Sequence, residues 1–117
     1  MERVYRGHPR FYELIDIIKD LHDRKNANYA DSKNPLSNFQ ECVSFGVDAH
    51  MGTMVRMSDK WSRLKQLIQG KPDEVGESIK DTLMDLAVYS LLEIILIEEF
   101  EKEQSKKTID GATETTH

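Results

Sequence analysis

Apolar residues recur along this chain at intervals of three and four positions, the spacing that places side chains on one face of an α-helix. Glycine, proline and clusters of polar residues divide this pattern into four segments. The predicted helices cover residues 10–25, 36–45, 49–69 and 76–100. No segment shows the alternation of a β-strand over any length. The pattern therefore predicts an all-α helical bundle of about four helices.

The last predicted helix is the longest and the most apolar. From Thr82 to Ile97 it is apolar on nearly every side, so we expect it to run through the centre of the bundle. The three earlier helices each carry an apolar stripe. The expected core residues on these stripes are Phe11, Leu14, Ile15, Ile18, Leu21, Leu36, Phe39, Val43, Met54, Met57, Trp61, Leu64 and Ile68. We expect one domain over residues 1–107 and a disordered polar tail over 108–117.

Three carboxylates stand at four-residue steps at the beginning of the long helix. Glu77, Asp81 and Asp85 therefore share one face. The same row continues into three expected core positions, Val88, Leu92 and Ile95. Acids on a core-facing row need a cation as partner. Because the cluster offers oxygen and no obvious His or Cys, Mg²⁺ is favoured over Zn²⁺.

The acids also have an interpretation without a metal. Acids in the first turn of a helix interact favourably with its dipole, which accounts for the first two members of the row. Asp85 lies two turns in, and would instead form a salt bridge to a base of the third helix. The candidate bases are Arg56, Lys60 and Arg63. The sequence leaves the metal and the ion-pair interpretations open.

Four charged residues of the third helix lie within about a third of its circumference. They are Arg56, Asp59, Lys60 and Arg63. In the functional interpretation, Asp59 joins the acids of the long helix as a metal ligand, and the three bases bind phosphate oxygens. The alternative is a solvated face whose ion pairs have no further role.

Residues 26–35 are rich in Asn, Asp, Ser and Pro and are predicted to form a loop. Lys25, Tyr29 and Asn38, in and around this loop, are candidates for contacts with a base or sugar, with Tyr29 stacking. The alternative is that such polar residues only cap helix ends and close turns.

Composition and charge narrow the class of partner. The net charge of −5 argues against broad nucleic-acid binding. The apolar run Leu86–Ile97 is too short to span a bilayer and contains Glu93. Cys42 is the single cysteine, and the first residues lack the apolar run of a signal peptide. We expect a cytoplasmic protein with no membrane or nucleic-acid partner. A homo-oligomer, dimeric or larger, is expected because so apolar a helix leaves much surface to cover.

Four segments carry a family resemblance. KNANYAD, NPLSNF, VRMSDKWSRL and GESIKDTLMDLAVY occur in this order, over residues 25–89. Together they resemble the nucleotide modification associated domain proteins of phages and bacteria. Those proteins are similar in organisation to MazG-like and dimeric dUTPase-like all-α pyrophosphohydrolases. The resemblance implies an oligomeric, Mg²⁺-using protein of phage nucleotide metabolism that binds a nucleotide.

Enzymes of the wider superfamily split a nucleoside triphosphate, (d)NTP, into the monophosphate and pyrophosphate. Their helix acids fall on Glu77, Asp81 and Asp85 of this chain, and one of these acids, with Glu77 as the candidate, would act as the general base. Their D-K-x-x-R segment falls on Asp59, Lys60 and Arg63. This chain lacks their E-x-x-E motif in its second and third predicted helices. A protein that binds or sequesters a nucleotide without cleaving it is therefore the alternative.

Overall fold

A computed structural model describes residues 3–29, 36–70 and 78–114 of the chain. Within these ranges the regular structure is entirely helical, which confirms the predicted all-α class. The α-helices are α1 (Pro9–Tyr29), α2 (Ser37–Gln40), α3 (Ala49–Ile68) and α4 (Ile79–Glu114), and a 3₁₀ helix spans Glu41–Phe45. In these ranges no helix has the length and apolarity that crossing a membrane requires.

Helix α1 belongs to a first compact unit, Met1–Asn38. It begins at Pro9, whose fixed φ suits the first helical position. Nδ1 of His8 accepts a hydrogen bond from the backbone N–H of Arg10 at 3.0 Å. The helix runs to Tyr29, so the prediction of a loop from residue 26 is wrong for residues 26–29. Each added residue of a formed helix gains a backbone hydrogen bond, which favours extension. Residues 30–35 of the predicted loop lie outside the described residues.

The second unit, Phe39–His117, is built on α3 and α4. These helices run antiparallel, because His50 at the start of α3 packs its ring 4.4 Å from that of Phe100. Nearer the other end of α3, Lys60 contacts Asp85, which lies earlier on α4. The buried apolar side chains of this unit are Phe39, Leu64, Leu92 and Leu96. These residues form the core that holds the two helices together.

Two buried threonines lie in the same pair of helices. Thr53 is 1% exposed and Thr82 is fully buried. Their hydroxyl groups donate to the backbone carbonyls of Ala49 and Ser78, one turn earlier, at 3.0 Å in both cases. Each buried hydroxyl is thus satisfied by a carbonyl one turn earlier in the chain. It therefore needs no hydrogen-bond partner on the neighbouring helix.

The short helices before α3 pack through Phe39 and Gly52. The ring of Phe39 meets that of Tyr89 edge to face, with centroids 5.8 Å apart. A Cβ atom at Gly52 would lie 2.6 Å from Sγ of Cys42, so glycine permits the close approach of the 3₁₀ helix to α3. The 3₁₀ helix ends at Gly46 in the left-handed region, with φ of 83°, and this confirms the predicted stop.

Several predicted core positions are exposed. Trp61 is 60% exposed, and the other exposed members of the predicted set are Phe11, Val43, Met54, Ile68 and Ile95. The expectation that α4 is enclosed on all sides is also wrong, because Leu83, Leu91 and Ile94 are exposed. The physical reason is that α3 covers only one face of α4. Helical spacing identifies an apolar stripe, but only packing decides which part of the stripe is covered.

Helix α4 extends further than the pattern predicts. It continues to Glu114, and residues 108–114, which composition assigns to a disordered tail, are helical. Its early turns lie against α3, and its charged later turns continue the same helix. The predicted domain boundaries themselves are not tested by this observation.

Candidate functional site

An ion pair connects α3 and α4 at the position where the acidic row meets the basic face. Nζ of Lys60 lies 3.0 Å from Oδ2 of Asp85. The two side chains are only 22% and 16% exposed. Of the three candidate bases, the structure thus shows Lys60 as a partner of Asp85. The two charges of a partly desolvated pair attract each other more strongly than those of a surface pair, and removal of one leaves the other with less compensation.

Asp81 caps the N-terminus of α4. Its Oδ2 accepts hydrogen bonds from the backbone N–H and the hydroxyl of Ser78, at 3.2 and 2.9 Å. Its own N–H donates to Oγ of Ser78 at 3.1 Å. This reciprocal arrangement is a capping box, with aspartate in the place of the usual glutamate. The motif S-x-x-D was readable in the sequence and was missed there. The role of Asp81 as a metal ligand and catalytic acid stays a prediction.

The remaining two acids of the predicted site are Asp59 and Glu77. Asp59 is exposed on α3, one residue before Lys60. Glu77 lies outside the described residues. Their assignment as metal ligands, and that of Glu77 as general base, therefore stays a prediction.

Arg56 and Arg63 lie on the same side of α3 as Lys60, at helical spacing. The guanidinium carbon of Arg56 lies 5.0 Å from the ring centroid of Phe39, the geometry of a cation–π contact. Both arginines have interaction partners in the structure. The three bases thus lie on one side of α3, as the helical period predicts, and phosphate binding by them stays a prediction.

The residues assigned to a base or sugar belong to the first unit. Lys25 is exposed near the end of α1, and Asn38 is partly buried in α2. Both have interaction partners. The side chain of Tyr29 lies outside the described residues. The proposed contacts of these three residues with a nucleotide stay predictions.

The carboxylates of α4 can be tested for their fit to Mg²⁺. Among the described side chains, no three His, Cys, Asp or Glu residues are grouped closely enough to hold a metal ion. Mg²⁺ commonly keeps several waters and is held by one or two carboxylates together with substrate phosphates. Asp81 and Asp85, one turn apart, supply oxygen donors of that type. They fit an ion shared with a bound phosphate, and do not fit one held by the described residues alone.

A second group of polar residues was not identified from the sequence. Glu93 is 4% exposed, and neither of its carboxylate oxygens has a hydrogen-bond partner among the described residues. Nε2 of His50 is buried and lacks a hydrogen-bond partner there as well. Burial raises the pKa of Glu93 above its ordinary value of 4.5, and the charge of His50 offsets part of the rise. The sequence feature that could have identified Glu93 is its position inside an otherwise apolar run.

These observations define an all-α protein in which α3 and α4 run antiparallel. A partly buried ion pair between a lysine and an aspartate connects the two helices. A family model described as nucleotide modification associated domain 1 matches residues 25–97, and the chain belongs to that family. The matched range contains all of α3 and both residues of the Lys60–Asp85 pair. No curated protein and no solved structure matches the chain significantly. The expected similarity to MazG-like enzymes therefore stays a prediction.

Proposed function

We propose that this protein binds a nucleoside triphosphate together with Mg²⁺ at the α3–α4 pair. The observation that carries the proposal is the Lys60–Asp85 contact of 3.0 Å between side chains that are less than a quarter exposed. It lies within a domain whose family is associated with nucleotide modification. An ammonium and a carboxylate held together in this way match the two charges of a phosphate–Mg²⁺ pair.

The proposed division of roles follows from charge. Lys60 donates to phosphate oxygens, and Arg63 adds a planar donor suited to phosphate. Asp85 and Asp81 supply carboxylate oxygens for the Mg²⁺ ion, with Asp59 and Glu77 as further candidates. A bound Mg²⁺ ion would neutralise part of the negative charge on the phosphate oxygens. Arg56 remains over Phe39 and steadies the base-rich side of α3.

Hydrolysis between the α and β phosphorus atoms is the catalytic form of this proposal. It would make the protein a (d)NTP pyrophosphohydrolase that releases the monophosphate and pyrophosphate. Asp85 lies at the ion pair, and Glu77, which lies outside the described residues, is the candidate base for water activation.

Binding without cleavage is the second candidate function. One observation favours it: Oδ2 of Asp81 is already occupied by two hydrogen bonds from Ser78. An acid that caps its own helix is less free to bind a metal ion or to accept a proton. A protein with such a site would hold or sequester the nucleotide and release it unchanged.

A titration of the purified protein with the individual (d)NTPs, with and without Mg²⁺, tests both candidates. We expect calorimetry to show saturable binding of at least one triphosphate that weakens when Mg²⁺ is omitted. Chromatography of the same mixture then distinguishes the two functions, because pyrophosphate forms only if the α–β bond is cleaved. If no triphosphate binds at any Mg²⁺ concentration, the proposed function is wrong.

The exposed apolar side chains of α3 and α4 support self-association as a further part of the proposal. Met54, Trp61 and Leu83 help to line an open apolar cleft of about 600 Å³ between the two helices. Trp61 is 60% and Leu83 49% exposed. An exposed apolar surface of this kind marks an interaction site on most soluble proteins. We propose that a second copy of the chain covers it.

Trp61→Glu is expected to shift the protein from oligomer to monomer. The substitution places a charge in the apolar cleft, where association would bury it. Sedimentation velocity measures the change in mass. Gln66→Glu is the matched control, since it adds the same charge at an exposed position of α3 away from the cleft, and it should leave the oligomer intact. A wild-type protein that sediments as a monomer would contradict self-association.

A further inference from the structure

Helix α4 carries a row of side chains on a face that α3 leaves uncovered. Leu83, Ala87, Ser90 and Ile94 follow one another at steps of four, three and four residues, so they lie in one line along the helix. Helices that pair in coiled coils use this spacing. Leu83 and Ile94 are 49% and 55% exposed. These four residues form the seam of α4.

The seam adjoins the apolar cleft between α3 and α4. Three of its residues, Leu83, Ala87 and Ser90, line that cleft together with Trp61 of α3. Ile94 continues the same line one turn beyond the cleft. A helix that packs on the seam would therefore also cover the cleft. The self-association proposed above, on which this inference rests, thus has a defined contact surface.

The seam has the same order of large and small side chains in both directions. Its ends are the large apolar residues Leu83 and Ile94, and its centre is the small pair Ala87 and Ser90. If two copies of α4 pack antiparallel about a two-fold axis, Leu83 lies opposite the partner's Ile94, and Ala87 lies opposite the partner's Ser90. The small residues at the centre allow the two backbones to approach closely, and the large residues fill both ends of the contact.

Charged residues at the two ends of the seam distinguish the antiparallel from the parallel arrangement. Lys80 lies one turn before Leu83, Glu98 lies one turn after Ile94, and both charged residues are exposed. Antiparallel pairing brings Lys80 close to the partner's Glu98 at both ends of the contact. Parallel pairing would instead bring lysine against lysine and glutamate against glutamate, which is unfavourable. The seam is therefore complementary in charge to a second, reversed copy of itself.

We propose that two copies of the chain pair through the seams of their α4 helices, antiparallel and about a two-fold axis, with Leu83 against the partner's Ile94. The pairing leaves the proposed nucleotide site outside the contact. Asp85 follows Leu83 by two residues, about 200° around the helix, so the Lys60–Asp85 pair lies on the opposite face of α4. Each copy in the dimer then carries its own site.

A charge-reversal series measured by sedimentation equilibrium tests the arrangement. Lys80→Glu and Glu98→Lys should each raise the dissociation constant of the dimer about tenfold, because each replaces two attracting pairs with two repelling ones. The double variant Lys80→Glu/Glu98→Lys reverses both charges and should restore the wild-type constant. Lys106→Glu is the matched control, since it makes the same change at an exposed position of α4 off the seam and should leave the constant unchanged.

Disulfide cross-linking gives a second measurement that does not depend on charge. In a Cys42→Ala background, mild oxidation of mixed Leu83→Cys and Ile94→Cys chains should link one variant to the other. Neither variant should link to itself, because the two copies of residue 83 would lie about 16 Å apart along the helix axis, too far for a disulfide. Self-linked products without the mixed product would overturn the antiparallel pairing.

The outcomes separate this pairing from the rest of the proposed function. A wild-type dimer that is unaffected by the single charge reversals, or that forms no mixed disulfide, would overturn the pairing alone. A monomeric wild type would overturn both the pairing and self-association. Neither measurement involves a nucleotide, so a protein that shows the expected dimer and binds no triphosphate would contradict nucleotide binding and leave the pairing supported.

Discussion

Lys60→Met is expected to lower the free energy of unfolding by about 2 kcal/mol and to abolish nucleotide binding. The substitution removes the ammonium that lies 3.0 Å from Oδ2 of Asp85 and leaves a carboxylate that is 16% exposed without it. Removal of one partner from a fully buried pair costs about 3–5 kcal/mol, and the remaining exposure of this pair reduces the effect. Asp85→Asn should act in the same direction. Urea unfolding measures the stability, and calorimetry with Mg²⁺ and the triphosphate measures the binding.

The double variant Lys60→Met/Asp85→Leu separates stability from function. It removes both charges, so we expect most of the lost stability to return, while nucleotide binding stays absent. Lys102→Met is the control, because it removes a lysine from an exposed position of α4 and should change neither quantity. A double variant that binds the triphosphate as tightly as the wild type would show that the pair is only structural.

Glu93→Gln is expected to increase the free energy of unfolding by about 2 kcal/mol at slightly alkaline pH, since it removes a buried acid that has no hydrogen-bond partner among the described residues. Burial raises the pKa of Glu93 above 4.5 in the folded protein. Below the pKa of the unfolded chain, both states hold the proton and no penalty exists. As the pH rises toward the folded pKa, the unfolded chain loses the proton first, so the wild type loses stability.

Urea unfolding across this pH range measures the difference between the wild type and the variant. The wild type should lose stability as the pH rises above 4.5 toward the folded pKa, and Glu93→Gln should lose less. Glu101→Gln, at an exposed position of the same helix, should retain the wild-type dependence on pH. If the free energy of unfolding of the two variants depends on pH with the same slope, then Glu93 does not titrate with a raised pKa. Its carboxylate would then have a stabilising partner in solution.

The helices themselves were largely predictable because local signals define them. Helix α3 begins at Ala49, as predicted, and ends at Ile68, one residue before the predicted end. Gly46 and Gly70, both with positive φ, mark the neighbouring chain breaks. The ends of α1 and α4 were predicted less well. Both helices continue into polar residues, where composition signals a break but the backbone hydrogen bonds of the helix still favour extension.

The candidate site was predictable in part. Helical spacing placed Asp81 and Asp85 on one face of α4 and the bases on one side of α3. The capping role of Asp81 was also readable, since it depends only on Ser78 three residues earlier. The contact of 3.0 Å between Lys60 and Asp85 was not, because all three bases share one side of α3 and any of them could have reached Asp85. The buried polar atoms of Glu93 and His50 were missed because these residues are distant in the chain.

The amino-acid sequence by itself determined the helical class, the family and the faces on which acids and bases lie. These properties depend on the order of residues and on the fixed period of the α-helix. Only the tertiary structure decided that Leu64 is buried while Trp61 is exposed. It also decided that Asp85 lies against Lys60 and that the carboxylate of Glu93 is buried. The physical reason is that burial and pairing depend on which face of α3 meets α4, and residues far apart along the chain set that contact together.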